Sequence, residues 1–213
     1  MMKKVLLLGD SIRMGYCGFV REKLQGVAEV YYPEENGRFA QYTLRGLQDW
    51  KGLLKLDDAD VVHWNNGLWD VGHLGTGMGF EAEGKTVNVP KADDATPLVF
   101  EQDALTPPDF YAYMLDRIYK RIRFLFPSAK IVFALTTPVK EEQISWLYRS
   151  NREIHQYNDI AREVLSKYGV SFNDLNTFAM QNCSELHRDW VHFSDEGSSL
   201  IAGEVARVIK QYL

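Results

Sequence analysis

Hydrophobic positions along this chain alternate between two rhythms. Val5-Leu6-Leu7-Leu8 is an unbroken apolar run, the pattern of a strand covered on both faces in a parallel sheet. Val27–Tyr32, Asp60–Trp64 and Lys130–Leu135 repeat it, and Gly169–Phe172 repeats it more weakly. Between these runs the apolar residues take helical spacing. Phe19, Val20 and Leu24 precede Gly26, while Leu44, Leu47, Trp50, Leu53 and Leu54 form a stripe. Tyr111, Leu115, Ile118, Ile122 and Leu125 form a second stripe, stopped by Pro127. Trp146 to Tyr168 reads as one long helix closed by Gly169, and Ser194 to Leu213 as the last helix. Ser194, with Glu196 in the first turn, is half of a capping box.

Strands alternating with helices predict an α/β domain with a mainly parallel sheet and right-handed crossovers. Ligands in such sheets bind beyond the carboxyl ends of the strands. The residues following Leu8, Tyr32, Trp64 and Leu135 are thereby expected around one crevice. Gly72 to Pro108 breaks the rhythm with five glycines, four prolines and no sustained periodicity. A loop of that length in a compact domain usually serves function, and it reads as an insertion over the crevice. No repeat and no second domain is visible, so residues 1–213 are read as one domain.

Composition narrows the function classes. Hydrophobic residues make up 46% and charged residues 25% of the 213, the balance of a folded globular domain. Net charge is −5 with both signs interspersed, so no basic patch points to nucleic acid or an anionic membrane. Cys17 and Cys183 stand far apart; they make neither a metal-type pair nor a disulfide framework, and two free thiols are expected. Two lysines before Val5–Leu8 resemble a signal peptide superficially. The apolar run is too short for one and ends at Gly9-Asp10 without a small-residue cleavage site. No stretch reaches membrane-spanning length, so a cytoplasmic location is expected.

Two short blocks carry chemistry. Gly9-Asp10-Ser11 follows the first strand and opens a helical segment. A serine there sits at a strand's carboxyl end beside a helix N-terminus, whose N–H groups and dipole favour developing negative charge. Asp189-Trp190-Val191-His192 stands just before the last helix. A nucleophilic serine needs a histidine to take its proton and a carboxylate to orient that histidine. In an extended turn, Asp and His three apart can meet through one imidazole nitrogen while the other faces the serine. Each block alone also fits a bland reading, an Asp-Ser helix cap and a surface Asp-His pair.

Together the blocks resemble the SGNH (GDSL-type) hydrolases. Asp189-Trp190-Val191-His192-Phe193-Ser194-Asp195-Glu196-Gly197 is similar to that family's closing block, and Asn36-Gly37 to its second block. Thr136-Thr137-Pro138-Val139 and Tyr157-Asn158 also stand where the family's arrangement places them. The resemblance implies a flavodoxin-like three-layer α/β/α sandwich with a five-stranded, mainly parallel sheet. It also implies metal-independent ester hydrolysis with Ser11 as nucleophile, His192 as base and Asp189 as its orienter. The Gly37 N–H, beside that of Ser11, would help form the oxyanion hole. The third block departs from the family's Gly-x-Asn-Asp, for Trp64-Asn65-Asn66-Gly67-Leu68-Trp69-Asp70 puts Trp69 at the asparagine position. Asn65 or Asn66, with Asn65 favoured, is expected to supply the missing amide. An Asn-x-Gly-x-Trp arrangement also resembles polysaccharide O-acetyltransferases and related esterase-like branches.

The remaining candidates are weaker. Asp10, Trp69, His63 and His73 lie near the blocks and are candidate substrate contacts; His63, inside a strand, also fits a core role. Trp64, Trp69 and Trp190 could stack on sugar rings or simply pack. His187, Asp189 and His192 could form a metal cluster, but zinc wants a further ligand, and no metal is expected. Gly72, Gly75, Gly77 and Gly79 echo a dinucleotide loop without the helix that should follow, so no cofactor is expected. The resulting expectation is a serine esterase for short acyl, chiefly acetyl, esters of a small molecule or carbohydrate. An O-acyltransferase with the same triad and a non-catalytic flavodoxin-like binding module are the rivals.

Overall fold

In the computed structural model, which describes residues 2–75, 101–141 and 147–213, five strands form one parallel sheet. They are β1 (Lys3–Leu8), β2 (Ala28–Tyr31), β3 (Val61–Trp64), β5 (Lys130–Ala134) and β7 (Ser171–Asn173), in the order β2-β1-β3-β5-β7. Two short strands, β4 (His73–Leu74) and β6 (Leu147–Tyr148), pair antiparallel outside it. The helices are α1 (Ser11–Lys23), α2 (Ala40–Leu53), α3 (Pro108–Leu125), α4 (Asn151–Ser166), α5 (Leu175–Asn182) and α6 (Asp195–Lys210).

The unbroken apolar runs are the central strands because both their faces are covered. Val5 to Leu8 and Val61, Val62 and Trp64 are all buried. Helix α1 packs with α6 on one face, and α2, α3 and α4 pack in succession on the other, giving the expected three layers. Register pairs Leu8 with Trp64 and Trp64 with Phe133, so the carboxyl ends of β1, β3 and β5 finish level. From β1 the chain turns to β2 on one side, whereas β3 leads toward β5 on the other. The ends of β1 and β3 are thus the point where the sheet's winding reverses, the place where open α/β sheets form a crevice.

Three local expectations are corrected. The helix expected over Trp146–Tyr168 begins only at Asn151, because Leu147–Tyr148 pairs with β4 and Ser150 caps the helix through the Glu153 N–H. Helix α5 was not expected at all; it buries only Leu175, Asn176 and Ala179, too few for a stripe. The insertion expected over 72–108 starts as strand β4 rather than as irregular loop, and its residues 76–100 lie outside the described ones. Cys17 and Cys183 are separate buried thiols. Among the described residues no helix is long and apolar enough to cross a membrane.

Candidate active site

Gly9 leaves β1 with φ +150°, a conformation open to glycine. A Cβ there would also collide with the Asn65 side chain, at 1.8 Å. Asp10 follows as the N-cap of α1, accepting the Ile12 N–H at 3.0 Å. Ser11 is therefore the first helical residue, where backbone N–H groups have no partner within the helix. Its hydroxyl opens onto two clefts of about 380 and 340 Å³ that share Ser11, Asn36 and His192.

His192 reaches that hydroxyl from the other end of the chain. Its Nε2 lies 2.8 Å from Ser11 Oγ, and its Nδ1 lies 2.8 Å from Asp189 Oδ2. The second carboxylate oxygen of Asp189 accepts the N–H groups of Val191 (2.8 Å) and His192 (2.7 Å), closing a tight turn. That turn is tied down at 2.9 Å by the Lys140 N–H donating to Trp190 O, and the Ser194 cap of α6 follows it. Burial by itself would raise the Asp189 carboxyl. The backbone N–H groups of His192 and Val191 and the imidazole outweigh it, holding the group below the usual carboxylate range. Asp189 is thus an ionised acceptor that fixes the proton on Nδ1 and leaves Nε2 facing the serine.

The expected oxyanion donors are placed elsewhere than expected. The Gly37 N–H donates to Gly9 O at 2.9 Å, so it is not free for a substrate oxygen. Asn66 is a brace: its Nδ2 donates to Arg38 O and Thr43 Oγ1, and its Oδ1 accepts the Trp64 indole N–H at 2.7 Å. Asn65 is buried against Gly9 and lies beside the Asp10 carboxylate, which it pulls toward the ionised form. It borders a small cavity with Asp10 and Thr137, not the two clefts. Asn36 and Trp69 do line a cleft beside Ser11. Asn36 Oδ1 accepts the Arg38 N–H at 2.8 Å, which orients the amide and leaves its NH2 end without a partner among the described residues.

Three of the four expected substrate contacts also move. Asp10 is fully buried and raised by that burial, against the pull of Asn65, the Ile12 N–H and the Arg149 and Arg13 charges. His63 is a core residue between Tyr16 and Asn173, and burial pushes it down to about 3, so it stays neutral. His73 is held in β4 by Glu101 O (2.9 Å) and Glu153 (3.0 Å). His187 packs its ring on Phe193 and contacts Ser184 O at 3.2 Å. Trp69 alone of the four lines a cleft.

Sequence reasoning missed two arginines. Arg13, almost wholly buried in α1, donates to Pro33 O (2.8 Å) and Glu35 O (2.6 Å), and so anchors the loop that presents Asn36. Arg149, between β6 and α4, lines the smaller cleft with its Nε bonded to Leu68 O. Arg13 could have been read from its place on the apolar face of α1, but nothing around Arg149 marks it.

A serine hydroxyl, an imidazole and a half-buried carboxylate in hydrogen-bond series at a parallel sheet's switch point form an arrangement able to carry out serine-hydrolase chemistry. The chain belongs to the GDSL-like Lipase/Acylhydrolase family, whose model matches residues 7–200, and it is an ester-bond hydrolase. It is similar to the GDSL esterase/lipase CPRD49 of Arabidopsis thaliana, 24% identical over 196 residues, covering 87% of this chain and 70% of that one. Its fold matches a lipase/acylhydrolase from Enterococcus faecalis with TM-score 0.71, at 18% identity over 99% of this chain and 96% of that one. It also matches the acetyl xylan esterase AlAXEase with TM-score 0.66, at 20% identity over 97% of this chain and 99% of that one.

Proposed function

We propose that the protein hydrolyses short acyl esters, chiefly acetyl esters of carbohydrate alcohols, through an acyl-enzyme on Ser11. The observation that carries this reading is the unbroken chain Ser11 Oγ–His192 Nε2 and His192 Nδ1–Asp189 Oδ2, each link 2.8 Å. As Ser11 Oγ attacks the ester carbonyl, His192 Nε2 takes its proton, and the Asp189 carboxylate stabilises the resulting imidazolium. His192 then returns the proton to the departing alcohol oxygen. A water deprotonated by the same nitrogen splits the acyl-serine to the free acid and regenerated Ser11.

The developing oxyanion is held by the Ser11 N–H at the start of α1 and by the Asn36 amide, with the Trp69 indole N–H on the same cleft as a third donor. The spent hydrogen bonds of Gly37 and Asn66 and the burial of Asn65 favour this set over the amides of the third block. Acetyl on a sugar is favoured by two half-buried tryptophans on the smaller cleft, Trp69 and Trp190, since indole faces suit sugar rings. The fold's likeness to an acetyl xylan esterase points the same way.

A screen of p-nitrophenyl esters of increasing acyl length together with acetylated sugars tests the reading, with Ser11→Ala as control. Labelling of Ser11 by a fluorophosphonate and turnover that ends at the acetate ester are expected. Loss of neither labelling nor turnover in Ser11→Ala would remove the nucleophile assignment. Transfer of the acyl group to an added sugar in preference to water would make the protein an acyltransferase.

A further inference from the structure

Arg149 is the buried cation of the smaller cleft. Only 5% of it is exposed, yet it lines the same walls as Ser11 and His192. Its Nε is committed to Leu68 O, and its guanidinium carbon sits 5.0 Å from the centre of the Trp190 ring. The Nε bond sets the direction of the fork, and the guanidinium lies over the Trp190 ring. Among the described residues the two terminal nitrogens have no hydrogen-bond partner, and neither is fully buried. The buried carboxylates of Asp10 and Asp70 attract its charge without bonding it. One oxygen of Asp10 caps α1 and one of Asp70 accepts the Ala40 N–H at 2.9 Å, while the second oxygen of each has no hydrogen-bond partner among the described residues.

A guanidinium desolvated on one side and left with a free pair of parallel N–H donors is costly unless something planar and anionic meets it. A carboxylate is the group whose two oxygens match that pair. We propose that Arg149 is a specificity-determining residue that receives the carboxylate of the alcohol part of the substrate, so that the preferred esters are O-acetylated acidic sugars. The inference rests on the esterase reading above and deepens it. Trp190, beside the guanidinium, and Trp69, on the same cleft, would border the sugar ring while its carboxylate is held end-on. Burial pulls Arg149 down to about 10, against the attraction of Asp10 and Asp70, so at neutral pH it still carries its charge.

The test compares an O-acetylated methyl glucosiduronic acid with its C6 carboxamide, a pair that differs only in the charged group. Wild-type protein should prefer the acid in kcat/KM by about tenfold or more, the size of charge-assisted hydrogen bonds. In Arg149→Gln that ratio should fall to about one. Arg149→Lys keeps the charge but not the fork, and should retain only part of the preference; it serves if Arg149→Gln does not fold. A wild-type ratio near one, or a ratio that survives in Arg149→Gln because both esters suffer equally, would overturn the inference and leave Arg149 a packing residue. Calorimetry on Ser11→Ala separates this outcome from failure of the esterase reading. Binding of the acid but not the amide, abolished in Ser11→Ala/Arg149→Gln, supports the inference even where no turnover is seen. Equal binding of both compounds, or binding of neither, would overturn it.

Discussion

The chain leaves β1 and β3 side by side, each time through a glycine at positive φ, Gly9 at +150° and Gly67 at +134°. The two loops nevertheless do opposite work. After β1 the turn feeds straight into α1, so Asp10 caps its own helix and Ser11 is delivered to the clefts with its hydroxyl held by His192. After β3 no helix follows, and the side chains turn inward. Asn66 locks Trp64, Arg38 and Thr43 together, while its carbonyl accepts Tyr111 Oη at 2.9 Å and Thr136 Oγ1 at 3.1 Å. Asp70 caps a neighbour, accepting the N–H of Ala40 where Phe39 offers α2 no side-chain cap. One strand end presents a hydroxyl to the clefts; the other braces the segments beside it. An amide near a nucleophile in sequence is therefore no guide to whether its N–H groups are free.

Removing the presented group should have the largest effect. Ser11→Ala and His192→Ala should each lower kcat by at least about ten-thousandfold with the fold intact, and the double variant should be no worse than either, because members of a triad act as a unit. Additive losses, measured against a thermal melt of each variant, would mean that the two residues act on different steps.

The next effect separates presented from braced amides. Asn36→Ala should lower kcat by about a hundredfold with little change in KM, as expected of a donor that acts on the oxyanion. Trp69→Phe keeps the ring and removes only the N–H, so any kcat loss it causes isolates the indole. A hundredfold fall in Asn65→Ala with an unchanged melt, and none in Asn36→Ala, would return the donor role to the third block.

On the braced side the effect should appear in stability instead. Asn66→Ala strands the Trp64 indole N–H and loses two donated bonds, which should cost about 3 kcal/mol in a denaturant titration. Activity per folded molecule should stay near that of the parent. A kcat loss with unaltered stability would contradict the comparison.

The smallest effect concerns pH. Burial raises the Asp70 carboxyl from 3.8 to about 6, against the pull of its N–H partners. Between those values the unfolded chain gives up this proton before the folded chain does. The group's contribution to folding is therefore fullest below pH 3.8, declines as pH rises toward 6, and stays low above it. Asp70→Asn should flatten that decline by up to about 3 kcal/mol between pH 4 and 7, while keeping an oxygen for the Ala40 N–H. An unchanged pH slope in chemical denaturation would show that Asp70 ionises freely in the folded protein.

The parallel strands were legible because burial on both faces forces continuous apolar runs, and the long helices because one face must be apolar every three to four residues. Strand β6 was not, since two residues carry no period, and its pairing with β4 spans more than seventy positions of the chain. The start of α4 was marked all along by Ser150-Asn151-Arg152-Glu153, a capping box in which Ser150 Oγ and Glu153 do bond. An apolar stripe that runs on past Trp146 hid it.

For the site, the sequence determined the chemical types and their positions along the chain. A serine at the first strand's end and an Asp-x-x-His turn before the last helix are local features, set by turn and cap geometry that a short segment carries with it. Which donors face the substrate was decided by the tertiary structure alone. A backbone or side-chain N–H can be spent on any acceptor that packing brings near it. The bond from Gly37 N–H to Gly9 O joins two loops. The bonds of Asn66 join three elements of the fold, and those of Arg13 reach a loop more than twenty positions away. Hydrogen-bond satisfaction is a property of the assembled interior, so it is readable only once the strands have been laid side by side.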